Sequence, residues 1–234
     1  MSQRANLGRL REAAPVILPS LLLCDFGHLE QEVRRLEAAG VQALHLDVMD
    51  GCLVPNITYG MPIVAALRRI TSLPLDVHLM IVDPEKYVEA FFEAGADVMT
   101  VHIEAFPEDG DPRPLLRRIR DLGAGAGIAL DPGTPLSRVE GCLDLCDLVL
   151  TMSVPAGFGK QAFEAGVLDK VRRLRTLVGP EVMLEIDGGI NASTTRRCAE
   201  AGVEYFVVGS AIFGRPAEDY GSVIRDLQAL ANVS

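Results

Sequence analysis

ALHLDVMDG, residues 43–51, alternates in character along an extended chain: Leu44, Leu46 and Val48 fall on one side, His45, Asp47 and Met49 on the other. LPLDVHLMI (73–81) repeats the arrangement, with Leu75, Val77, Leu79 and Ile81 opposing Asp76, His78 and Met80. MLEIDGGI (183–190) sets Leu184 and Ile186 against Glu185 and Asp187. One face of each strand is uniformly apolar and suited to packing on helices. The other carries imidazole, carboxylate and thioether groups into a shared interior. Burying a charge or an imidazole is costly unless it is paired or bound to metal. His45, Asp47, His78 and Asp187, on three such strands, therefore point to a metal site with built-in acid and base groups. Each strand also ends just before a turn signal (Asp50-Gly51, Asp83-Pro84, Gly188-Gly189). Parallel α/β proteins hold their active sites at that end.

The same alternation of strand and helix continues along the chain. Strands are expected over 16–22, 43–49, 75–81, 98–104, 127–131, 148–154, 183–187 and 205–210. Amphipathic helices are expected over 28–40, 61–70, 84–95, 114–123, 167–179, 194–202 and 216–231. Several helices end in Ala-Gly or Leu-Gly, a stop signal, with the next strand starting at once. Eight strands alternating with helices in 234 residues read as an α/β protein, a (β/α)8 TIM barrel. An open doubly wound sheet would usually show an early GxGxxG turn, which the sequence lacks. Residues 1–14, polar with three arginines, read as an N-terminal extension or a short capping helix, and 15–234 as one barrel domain.

Hydrophobic content of 49% and charged content of 23% are those of a soluble globular protein. A net charge of −10 argues against non-specific binding to nucleic acid and fits an acidic cytoplasmic protein. No run approaches the length needed to span a bilayer, so no membrane partner is expected. The five cysteines lack a CxxC pattern. Cys142 and Cys146 are spaced to share a helix face and read as buried thiols of a reducing compartment.

Three glycine-bearing turns come after the last three strands: Gly157-Phe158-Gly159, Gly188-Gly189 and Gly209-Ser210. Glycine lets backbone N–H groups approach an anion, and loops after strands seven and eight of such barrels often bind phosphate.

Taken together, LPSLL (18–22), HLDVMDGCLVPNITYG (45–60), DVHLMIVDPEKY (76–87), VHIEA (101–105), MSVPAGFGKQAF (152–163), EIDGGIN (185–191) and VVGSAIF (207–213) make the chain resemble the ribulose-phosphate 3-epimerase family, from about Val16 to Ala231. The resemblance implies a TIM barrel, one divalent metal ion (Zn²⁺, Fe²⁺, Mn²⁺ or Co²⁺), and interconversion of D-ribulose 5-phosphate and D-xylulose 5-phosphate. By matching position it implies His45, Asp47, His78 and Asp187 as ligands, with Asp47 and Asp187 also the acid/base pair. Ser20, Met49, Met80 and Met152 would contact the substrate, and Gly157, Gly159, Gly188, Gly189, Gly209 and Ser210 its phosphate. The family also implies a homo-oligomer. His102, inward and with Glu104 two residues on, is expected to orient a ligand or to serve structure alone. Glu185 is left without an assigned partner.

Three positions depart from the family pattern. Leu23 stands where a small polar residue is usual. Pro155-Ala156 replaces an X-Pro pair, moving the φ-locked residue one place earlier. Lys160 replaces a second glycine, so it either clashes with the loop path or reaches the phosphate as a cation. All three lie at the substrate end. They keep open a relative that epimerises another ketose phosphate, such as allulose 6-phosphate. A non-catalytic sugar-phosphate-binding paralogue is disfavoured, because a retired site has no reason to keep four costly buried polar groups.

Overall fold

The computed structural model describes residues 3–233. Its eight strands are β1 (Val16–Pro19), β2 (Leu44–Met49), β3 (Leu75–Met80), β4 (Val98–His102), β5 (Gly125–Leu130), β6 (Leu148–Met152), β7 (Met183–Asp187) and β8 (Tyr205–Val208). They form one sheet in the order β1-β8-β7-β6-β5-β4-β3-β2, every ladder parallel. A parallel bridge between Ser20 and His45 joins the two ends and closes the ring. The fold is the TIM barrel expected from the alternating pattern.

The alternation divides the apolar residues into two cores. Outward side chains such as Leu46, Val77, Val101, Ile128, Ile186 and Phe206 pack against the helices. Inward ones, Val16, Leu18, Val98, Leu148, Leu150, Met183 and Tyr205, fill the barrel itself. The shell helices are α2 (Leu29–Ala38), α3 (Met61–Ile70), α4 (Val88–Ala94), α5 (Arg113–Leu122), α6 (Val167–Leu177), α7 (Thr195–Glu200), α8 (Ser210–Phe213) and α9 (Tyr220–Ala231), after an N-terminal α1 (Gln3–Glu12). In α5, Leu115, Leu116 and Ile119 are buried while its arginines point outward. Gly95 and Gly123 end α4 and α5 at φ 109° and 105°, the left-handed cap that the Ala-Gly and Leu-Gly signals implied.

α1 closes the N-terminal end of the barrel. Leu7 and Leu10 join the inner core, the Asn6 amide donates to Asp97 Oδ1 at 2.8 Å, and Arg11 pairs with Asp147 at 2.7 Å.

Two details differ from the sequence expectation. No α-helix separates β5 from β6; short 3₁₀ segments, Leu136–Arg138 and Glu140–Leu145, make the connection. Gly133, Pro135 and Gly141 break the segment, and it buries Val139, Cys142 and Leu143 without a full helical face. Cys142 and Cys146 are buried free thiols. The first, fourth and eighth strands also stop short of their apolar runs, at Pro19, His102 and Val208. The chain then turns into Leu21–Leu23, Ile103–Ala105 and α8, respectively, which brings Ser20, Glu104 and Gly209 to the barrel mouth. Among the described residues no helix is long and apolar enough to cross a membrane.

Candidate active site

The site grows from register. β2 and β3 pair His45 with Asp76 and Asp47 with His78, and the ring closure puts Ser20 beside His45. On the other side of the barrel Asp187 ends β7. One ligand atom from each of His45, Asp47, His78 and Asp187 lies within 4.8 Å of the others. The three strands that looked anomalous in sequence therefore converge on one point. His45 and His78 are fully buried, Asp47 is nearly so, and Asp187 is half-buried at the mouth.

Hydrogen bonds fix the orientation of the groups. His45 Nδ1 lies 2.6 Å from Asp76 Oδ2 and 3.3 Å from Glu185 Oε1. A carboxylate accepts, so Nδ1 carries the proton and donates to Asp76. His45 Nε2 is left buried without a hydrogen-bond partner, 3.3 Å from Asp47 Oδ1. The Ser20 hydroxyl donates to Asp47 Oδ2 at 2.5 Å, and the Asp47 N–H donates to the Tyr59 hydroxyl oxygen at 3.1 Å. His78 approaches Asp47 Oδ1 through Nδ1 at 3.2 Å and His102 through Nε2 at 2.8 Å.

Four carboxyl groups, Asp47, Asp76, Glu185 and Asp187, thus crowd two imidazoles. Burial raises the Asp187 carboxyl, and Asp47 raises it further, to about 7. Burial and Asp76 push Glu185 to about 8. Burial also acts to raise Asp47, but the neighbouring His45 and His78 outweigh it and hold Asp47 well below the usual carboxylate range. For His45 burial opposes the charge, yet Asp47 and Asp76 lift its pKa well above 6.5. Burial keeps His78 neutral, its pKa lowered to about 4. The cluster calls for positive charge. Two imidazole nitrogens, one an orphaned buried atom, and two carboxylates form a donor set suited to a divalent transition metal.

Above the cluster a cavity opens, lined by Ser20, Asp47, Met49, Met80, Met152, Gly157, Lys160, Asp187, Gly188, Gly189, Gly209 and Ser210, together with Leu22, Leu23, Val154, Phe158, Gln161, Ile190 and Val207. His45 and His78 lie beneath its floor. Gly159 is outside the lining: a Cβ there would meet Leu23 Cδ1 at 3.2 Å. Gly188 and Gly189 adopt φ 115° and 61°. A Cβ on Gly188 would stand 2.6 Å from Val154, and one on Gly189 3.0 Å from the Phe163 backbone, so no side chain fits at either turn.

The departures from the family pattern take definite places. Leu23 packs between Gly159 and Gly209. The Ala156 N–H donates to Asp131 Oδ1 at 3.3 Å, a bond that proline at this position would lack. Lys160 is exposed with φ 64°. Leu22, Val154 and Ile190 carry no signal of their role in the sequence, where they read as ordinary core. Gln161 is likewise silent there; its amide donates to the Pro155 and Phe158 carbonyls. The Asn56 amide donates to the Gly157 carbonyl at 2.8 Å, tying the loop after β2 to the loop after β6.

Comparison with known proteins agrees with this geometry. The family model described as "Ribulose-phosphate 3 epimerase family" matches residues 16–213. The chain is 48% identical over 204 residues to ribulose-phosphate 3-epimerase of Synechocystis sp., covering 86% of this chain and 88% of that protein. It is 43% identical over 228 residues to the chloroplastic ribulose-5-phosphate-3-epimerase of Arabidopsis thaliana, covering 96% and 80%. Among solved structures, 3-keto-L-gulonate-6-phosphate decarboxylase from Vibrio cholerae superposes with a TM-score of 0.68 at 18% identity, over 93% of this chain and 98% of that one, a likeness of fold. The chain belongs to the ribulose-phosphate 3-epimerase family and is an isomerase-class epimerase.

Proposed function

We propose that this protein interconverts D-ribulose 5-phosphate and D-xylulose 5-phosphate by inverting carbon 3, with one divalent cation (Zn²⁺, Fe²⁺, Mn²⁺ or Co²⁺) held by His45, Asp47, His78 and Asp187. The observation that carries this reading is the meeting of two carboxylates of opposite protonation tendency with two imidazoles, under a cavity rimmed by glycine turns.

Inversion beside a keto group needs a proton removed from one face of the carbon and another delivered to the opposite face. Asp47, kept ionised by its histidines, is suited to remove it; Asp187, whose carboxyl titrates near neutrality, is suited to deliver one. In the reverse direction the roles exchange. Ser20, donating to Asp47 Oδ2, leaves the other oxygen to the histidine side and holds the carboxylate in place while also facing the substrate. The chemistry supplied by the cation, when bound, is electrostatic stabilisation of the negative charge that develops on the enediolate oxygens. Met49, Met80 and Met152 give the sugar an apolar surface free of competing proton donors. Gly157, Gly188, Gly189, Gly209 and Ser210 offer backbone approach to the phosphate at the rim, and Lys160 adds a cation there. Gly159 supports that loop by giving Leu23 room.

A coupled assay of the metal-loaded protein on ribulose 5-phosphate, with Asp187→Asn as control and allulose 6-phosphate in parallel, tests the proposal. Strong pentulose phosphate turnover that falls about 100- to 10,000-fold in the variant is expected. Turnover of only the longer sugar would assign the changes at Leu23, Ala156 and Lys160 to altered specificity. Activity on neither would reject the reading.

A further inference from the structure

We infer that Glu104 and His102 form a relay that fixes the tautomer of His78, turning the bare lone pair of His78 Nδ1 toward the Asp47–Asp187 cluster. Glu104 is the anchor. Its Oε1 accepts from the Asp131 N–H at 2.9 Å and from the Thr134 hydroxyl, and its Oε2 lies 2.9 Å from His102 Nδ1. Burial acts to raise this carboxyl, but the hydrogen bonds from His102, Thr134 and Asp131 outweigh it and hold it near 2. An ionised carboxylate only accepts, so His102 Nδ1 carries a proton. In the neutral ring His102 Nε2 is then an acceptor, and the atom facing it at 2.8 Å is His78 Nε2. The two ring planes differ by 16° with centroids 4.9 Å apart. With the facing nitrogens so much closer than the centroids, the rings lie nearly edge to edge, and the N–H of one points along the lone pair of the other. With His102 neutral, His78 Nε2 donates and His78 Nδ1 is left bare.

The consequence appears 3.2 Å away. His78 Nδ1 faces Asp47 Oδ1 at that distance, and His45 Nε2, which has no hydrogen-bond partner, faces the same oxygen at 3.3 Å. Three polar atoms directed at one point need positive charge among them, a proton on His45 or a bound cation. Asp76 orients one imidazole and Glu104, through His102, the other. His102 is thus a positioning residue, and the short 3₁₀ turn Ile103–Ala105 that carries Glu104 belongs to the site although it touches none of its ligand atoms.

The inference rests on the metal reading proposed above for its consequence, but the tautomer is measurable without metal. In chelator-stripped wild-type protein, long-range ¹H–¹⁵N correlation spectra should show His78 with Nε2 protonated and Nδ1 bare, and His102 with Nδ1 protonated and Nε2 bare. A His78 protonated at Nδ1, or a doubly protonated His102, overturns the relay. Two variants then test the coupling by competition for Zn²⁺ with a chromophoric chelator. His102→Leu removes the acceptor and should weaken Zn²⁺ binding on the order of tenfold to a hundredfold. His102→Gln keeps an acceptor oxygen and should stay within about threefold of wild type. Equal loss in both variants, or loss in neither, overturns the positioning role. Wild-type protein that binds no Zn²⁺ while showing the expected tautomers would instead reject the metal reading and leave the relay standing.

Discussion

Asp47 and Asp187 are the same residue type within 4.8 Å of each other, yet their surroundings drive them apart. Histidines hold one ionised, while burial and its partner's charge push the other up to about 7. That divergence, more than the presence of two acids, suits them to the acid/base roles proposed for them. Lys160 shows a second kind of residue-scale tension. It sits at φ 64°, where an L side chain costs about 1–2 kcal/mol, and it is exposed. A strained lysine at the rim of the cavity is explained if the cation is used. Lys160→Gly should raise KM for the sugar phosphate roughly tenfold, reduce its salt dependence and leave kcat little changed, while relieving the backbone. Steady-state kinetics over a range of ionic strength measure this; an unchanged KM with the same salt response removes Lys160 from the site. The four clustered residues, His45, Asp47, His78 and Asp187, were legible in the sequence because each breaks an apolar strand pattern. Their partners were not. Asp76 lies 31 residues from His45, and only the β2–β3 register makes it the acceptor for Nδ1. Alternation shows which way a side chain faces; it does not show what stands opposite.

At the scale of elements, strand ends carry the candidate site. The apolar runs around Leu18, Val101 and Val208 continue past the points where pairing stops, so periodicity alone overestimates strand length. The surplus residues become the turns that hold Ser20, Glu104 and Gly209. The segment after β5 misleads for the opposite reason: its buried Val139, Cys142 and Leu143 mimic a helix face, while glycine and proline limit it to 3₁₀ turns. α1 was the least legible element. Its surface is polar, and the inner-core residues it joins, such as Leu148, Met183 and Tyr205, lie far along the chain. The Tyr205 hydroxyl donates to the Leu10 carbonyl at 3.2 Å, which ties the helix to β8. Because Leu10 is almost fully buried at the end remote from the site, Leu10→Ala should lower unfolding free energy by about 2–5 kcal/mol. The kcat of the folded variant should stay within about twofold, since α1 packs at the opposite end of the barrel from the cluster. Denaturant melts paired with kinetics below the transition check both parts; a large drop in kcat without loss of stability would mean that α1 acts on the site.

For the molecule as a whole, a net charge of −10 is joined to an interior holding several carboxyl groups at one point. Without a cation that interior is stabilised by protons, and the sign of its pH dependence is set by them. Asp187 titrates at about 7 in the fold against 3.8 ordinarily, and Glu185 at about 8 against 4.5. His45 is likewise raised above 6.5. In each case the folded state binds more protons than the unfolded chain, so stability falls as pH rises through the folded pKa. His78 acts in the opposite sense, since its folded pKa near 4 lies below 6.5 and its contribution recovers as pH rises between those values. The window free of this opposition runs from 6.5 to about 8. There the Tm of chelator-stripped protein should fall steadily. Zn²⁺ should raise Tm more at the upper end than at the lower, because binding displaces protons that are already leaving. Thermal melts at three pH values across the window, with and without Zn²⁺, decide it. A stripped protein whose Tm is flat or rising there does not hold Asp187 and Glu185 protonated, and the assignment of Asp187 as proton donor would fall with it.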